Sequence, residues 1–107
     1  MSNAEILADL PIVIDEARID GFCRARGIRK LSLFGSVLRG DFDPARSDVD
    51  VLAEFAPGAL DDVGFRYFGY ADELGAILGR KVDFCSHLNR HIEAAVREAA
   101  VPIYERA

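Results

Sequence analysis

The sequence predicts an α/β (α+β) domain, a small mixed sheet with helices packed on it. Three observations carry this prediction. Short apolar runs alternate with polar residues at the period of a strand, in Arg29–Phe34, Asp48–Phe55 and Lys81–Cys85. Longer stretches place apolar residues at helical spacing. Glycine and proline separate the two kinds, giving the order helix, strand, strand, helix, strand, helix.

Taken in order, Glu5–Leu10 reads as a short helical stretch. Pro11 suits the first turn of a helix running to Arg26, with Ile14, Ala17, Gly21, Phe22 and Ala25 as its packing stripe and Gly27 as its stop. The first strand ends at Gly35-Ser36. Val37–Arg39 is expected to form a single helical turn, followed by a polar loop through Asp41, Asp43 and Pro44. After the second strand, Pro57-Gly58 breaks the chain. Asp61 or Asp62 can then cap a helix to Leu78, with Phe68, Ala71, Leu74 and Leu78 in register. Gly64, Gly69 and Gly75 work against that helix, each costing roughly 1 kcal/mol relative to alanine. Gly79 ends it. Asn89 can cap a last helix with Ile92, Ala95, Val96 and Ala99 on one face, and Val101–Tyr104 is an apolar ending, strand or turn.

The chain has 107 residues, one ordinary domain over 1–107; residues 1–4, where Ser2-Asn3-Ala4 resembles a cloning scar or a disordered start, are set aside. Half the residues are hydrophobic and 29% are charged, the balance of a globular chain. A net charge of −5 argues against a general nucleic-acid binder, which needs a basic face. It leaves an NTP site open, because a divalent cation can supply the positive charge. No stretch has the length of a membrane span and no secretion signal is visible, so a cytoplasmic protein is expected. Cys23 and Cys85 lack metal-ligand spacing and are expected as buried free thiols.

Three features could carry chemistry. Gly35-Ser36 closes a strand and opens a helical turn; glycine lets backbone approach a phosphate, and the serine hydroxyl and turn amides can donate to it. The bland alternative is a tight turn with a capping serine. Asp48-Val49-Asp50 places two carboxylates on one side of a strand while Val49 and Val51 face the core. At about 4 Å such charges repel by roughly 4 kcal/mol at an effective dielectric of 20. A hard divalent cation such as Mg²⁺ removes that cost; a solvated strand edge avoids it. Asp83 interrupts the apolar Val82–Phe84 run. Set beside the second strand, it can reach the same point and complete a two-metal site; otherwise it is an exposed position on an edge strand.

Leu33-Phe34-Gly35-Ser36, Arg39-Gly40, Ser47-Asp48-Val49-Asp50-Val51-Leu52 and Val82-Asp83 together resemble the signature of the DNA polymerase β nucleotidyltransferase superfamily. The likeness is nearest to the minimal nucleotidyltransferases, the MntA-like antitoxins paired with HEPN-domain proteins, and runs from about Leu31 to the C-terminus. It implies a Mg²⁺-dependent enzyme that moves AMP from ATP to a hydroxyl. By this resemblance Gly35 and Ser36 hold the triphosphate, Asp48 and Asp50 bind two Mg²⁺ ions, and Asp83 completes the site. The acceptor would be a HEPN-type toxin partner. Eleven residues separate Ser36 from Asp48, one more than is common in that branch, so contacts of the Asp41–Arg46 loop do not transfer.

Two other readings remain at this point: an antitoxin that neutralises a partner by binding alone, and a transferase acting on a small molecule. Self-association is left open. His87 and His91 stand four apart without a third ligand and read as solvated surface. Arg80 and Lys81 could neutralise phosphate or face water. Phe65, Tyr67, Phe68 and Tyr70 crowd one helix; Phe65 or Tyr67 left outside would mark a partner surface.

Overall fold

The computed structural model describes residues 10–39, 43, 46–87 and 90–106. Helix α1 (Glu16–Arg26) leads into β1 (Ile28–Phe34), the short α2 (Ser36–Arg39) and β2 (Val49–Phe55). A 3₁₀ segment (Gly64–Gly69) runs into α3 (Tyr70–Leu78), then β3 (Val82–Cys85), α4 (Arg90–Ala99) and β4 (Val101–Glu105). The strands form one mixed sheet in the order β3-β2-β1-β4. β1 pairs antiparallel with β2 and β4, while β2 and β3 run parallel, joined by the 3₁₀–α3 crossover.

The period-two expectation for β2 holds. Val49, Val51 and Ala53 are fully buried against α1 and α3, while Asp50 and Glu54 are half-buried on the other face. Ile28 and Leu31 both reach the core although they are three apart. The register shift between Ile28 and Lys30 permits this, since one extra residue restores the facing of the side chain. On the opposite face Arg97 of α4 pairs with Glu54, and Ser32 and Leu52 are buried. Val101–Glu105 resolves as a strand because β1 offers it a free edge.

Several sequence expectations are corrected. α1 begins at Glu16 rather than near Pro11, because the Asp15 carboxylate accepts from the Arg18 amide at 3.1 Å and caps the helix there. Residues before it run against the end of α3, where the Val13 amide donates to the Leu78 carbonyl at 2.9 Å. The stripe of α1 is Ile19, Phe22 and Cys23; Ala17, Gly21 and Ala25 face solvent. The expected helix from Asp61 splits into a 3₁₀ turn and a helix that starts only at Tyr70. Gly64 takes a positive φ of 59° and Asp62 one of 62°, neither compatible with a continuing helix. Phe68 lies in the 3₁₀ turn, whose tighter winding shifts its phase against α3, and is 74% exposed, while Tyr70, Leu74 and Leu78 are buried. Gly79 stops α3 as expected. In α4, Val96 is half-buried but Ala95 and Ala99 are exposed. The expected Glu5–Leu10 helix, apart from Leu10, and the Asn89 cap lie outside the described residues.

Candidate functional site

The site begins where β1 ends. Gly35 turns the chain with φ 77°, and the Leu38 amide donates to its carbonyl at 3.1 Å as α2 opens at Ser36. A side chain is excluded at Gly35 on two grounds. The backbone is left-handed, and a Cβ would lie 2.2 Å from Asp50 Oδ2 and 3.2 Å from its Cγ. The Asp50 carboxylate thus lies directly on the backbone of the glycine turn. It is brought there by strand register, since Asp50 faces Phe34, the residue before Gly35.

β3 adds the third acid. In the parallel β2–β3 pair, Asp50 stands opposite Asp83 and Leu52 opposite Cys85. Partners in such a register project from the same face of a sheet. Asp50 is half-buried and Asp83 exposed. Asp48 is half-buried just ahead of β2, where the Val49 amide donating to the Lys81 carbonyl at 2.8 Å carries the strand pairing upstream. The turn before it is closed by Ser47, whose Oγ accepts from the Asp43 amide at 3.1 Å and whose amide donates to the Asp43 carbonyl at 2.7 Å. Ser36 is half-buried at the start of α2.

Two carboxylates at one register level, one of them against a glycine turn, are hard oxygen donors whose chemistry fits a divalent cation such as Mg²⁺. Among the described residues, however, no three His, Cys, Asp or Glu side chains are already gathered as a metal cluster. Cys85 reports the local field: burial first, then the charges of Asp83 and Asp50, push its thiol up from the ordinary value.

The Arg80 guanidinium is engaged by the Pro11 carbonyl at 3.0 Å, which makes it structural, and Lys81 and His87 are exposed. The side chains of Arg39 and His91, and all of Gly40 and Asp41, lie outside the description. Arg46 and Asp43 form a loop ion pair at 3.9 Å. Both cysteines are free, Cys23 fully buried and Cys85 half-buried. Two concavities of about 360 and 350 Å³ flank the 3₁₀ segment, and neither is lined by Gly35 or the three aspartates. Sequence reasoning missed the exposure of Phe68 beside Phe65; the glycines at 64 and 69 were the available signal. It also missed the Glu54–Arg97 pair, which joins distant elements and leaves no local pattern.

A family model described as a nucleotidyltransferase domain matches residues 17–102. Two solved structures share the fold. One is a toxin-antitoxin with AMP-PNP, at TM-score 0.63 and 21% identity over 85% of this chain and 73% of that chain. The other is a mutant of the toxin-antitoxin MntA-HpeT, carrying two aspartate-to-glutamate substitutions, at TM-score 0.62 and 18% identity over the same shares of 85% and 73%. No curated protein gives a significant match. Among the described residues, no helix is long and apolar enough to cross a membrane.

Proposed function

Because the chain belongs to the nucleotidyltransferase-domain family and has the polymerase β-type fold, we propose that it transfers AMP from ATP to a hydroxyl of a HEPN-type toxin partner, acting as the cytoplasmic antitoxin of the pair. The observation that carries this reading is the Asp50 carboxylate resting on the Gly35 turn with Asp83 level beside it. The toxin-antitoxin assemblies that share its fold, one of them with AMP-PNP, support the partner and the nucleotide.

In this account the Gly35 backbone and the Ser36 hydroxyl bind the triphosphate. Glycine allows the close approach, and the opening turn of α2 directs donors at phosphate oxygens. Asp48 and Asp50 would hold two Mg²⁺ ions, with Asp83 as the third acid. When bound, the ions supply charge neutralisation to the phosphates and lower the pKa of the acceptor hydroxyl. Asp83, the exposed member, would act near the attacking hydroxyl and take up its proton. The acceptor oxygen then bonds to the α-phosphorus as the bond to pyrophosphate breaks. The chain contributes mainly position and charge.

The test is to incubate the purified chain with the co-expressed product of the adjoining reading frame, Mg²⁺ and α-labelled ATP. Label is expected on the partner and should vanish in Asp48→Asn and in Asp50→Asn. Neutralisation of the partner with no label, surviving both substitutions, would instead establish an antitoxin that works by binding alone. Label on an added small-molecule alcohol and none on the partner would establish the third reading.

A further inference from the structure

The 3₁₀ segment presents a surface that the transferase chemistry does not use. Phe65 is 87% exposed and Phe68 is 74% exposed, with ring centroids 6.4 Å apart. Single exposed apolar residues are common, but two adjoining phenylalanine rings in water are costly. Beside them lies the concavity of about 350 Å³, walled by Leu60, Val63, Tyr67 and Phe68. Its floor is held by a hydrogen bond between the Tyr67 hydroxyl and Ser86 Oγ at 2.7 Å. The groove is therefore braced, with one aromatic anchor at its lip.

Charge selects the occupant. Asp61 and Asp62, adjoining Leu60 and Val63, are exposed, as is Asp72 one turn into α3. No ion pair among the described residues engages these three carboxylates. Of the neighbouring cations, Arg26 is paired with Glu73 at 3.1 Å, and Arg66, turned back to the carbonyls of Asp62 and Val63 at 3.4 Å each, offsets only one of the three carboxylates. The rim is thus acidic on a chain of net charge −5, so a second copy would meet like charge. The geometry points to a docking face for a basic partner protein, one that seats aliphatic side chains against Phe65 and Phe68 while its lysines or arginines meet Asp61, Asp62 and Asp72. Ser86 and His87 line the groove immediately after the strand that carries Asp83. Docking here would set the partner next to Asp83, a consequence that rests on the transferase reading, whereas the docking itself does not.

The test titrates the isotope-labelled chain with a designed helical peptide, leucine along one face and lysine elsewhere, and with its glutamate counterpart, without nucleotide or metal. Shifts are expected to centre on residues 60–69 and 86–87 for the lysine peptide alone. Phe65→Ser/Phe68→Ser should weaken binding about tenfold or more, as loss of an interface anchor does. Asp61→Lys/Asp72→Lys should weaken it separately, and added salt should weaken the unchanged chain. Both phenylalanines are exposed, so an unchanged melting temperature checks that the fold survives. Equal affinity for the two peptides, shifts spread over the chain, or unchanged binding in the phenylalanine variant would overturn the proposal. So would a dimer in sedimentation that this variant abolishes, which would make a second copy the occupant. Retained peptide binding in Asp48→Asn/Asp50→Asn, together with absent transfer in the native chain, would condemn the transferase reading and leave the docking face standing.

Discussion

Asp50 and Gly35 occupy each other's space: a Cβ on Gly35 would stand 2.2 Å from Asp50 Oδ2. The contact joins the end of β1 to the start of β2, so it ties the glycine turn to the acid that the proposed chemistry needs. Gly35→Ala should cost about 1–3 kcal/mol through its φ of 77°, with the clash in addition. In an Asp50→Ala background the clash is gone and only the backbone cost remains. Urea unfolding of the two single variants and the double should therefore be non-additive, with the double more stable than the sum predicts. Strict additivity would mean the two residues do not touch.

Asp15 sets the start of α1 through its bond to the Arg18 amide at 3.1 Å. Asp15→Ala should destabilise the domain by about 1 kcal/mol. For a chain of this size that is a fall of roughly 4–8 °C in melting temperature, read by circular dichroism. Pro11→Ala should have little effect, since Pro11 is exposed and outside the helix.

These two sites show what was legible in the sequence. Strands β1 to β3 could be read because Leu31/Leu33 and Val49/Val51 alternate with polar residues, and that period is local. The start of α1 is ambiguous from sequence because proline and aspartate are both initiation signals, and only the Asp15–Arg18 bond decides between them. Phe68 reads as a core residue from sequence because it continues the Ala71, Leu74 and Leu78 series at helical spacing. The tighter 3₁₀ winding of Gly64–Gly69 breaks that series and leaves Phe68 outside the core. Asp48 and Asp50 were visible as a pair from their spacing alone. That Asp83 stands opposite Asp50 depends on a parallel register across a crossover, which no local pattern encodes.

Burial pushes the Cys23 thiol up to about 12, with Asp20 adding to the shift and Arg26 opposing it. A thiol with a raised value holds its proton in the folded state above the ordinary value of 9.0, while the unfolded chain loses it. Folding then binds more protons, and stability must fall as pH rises from about 9 toward 12. The limiting slope is about 1.4 kcal/mol per pH unit. Cys23→Ala should lose this slope in urea titrations across that range. At pH 8 the native chain should react slowly at Cys23 with a thiol reagent and quickly once unfolded.

In the proposed mechanism Asp48, Asp50 and Asp83 serve one divalent-cation site beside Gly35, and paramagnetic broadening of amide signals by Mn²⁺ tests this without any acceptor. Broadening is expected to centre on residues 34–37, 48–51 and 82–84, to be competed away by Mg²⁺ and to be lost in Asp50→Asn. Broadening centred elsewhere, or unchanged when Asp50 and Asp83 are both replaced by asparagine, would contradict it.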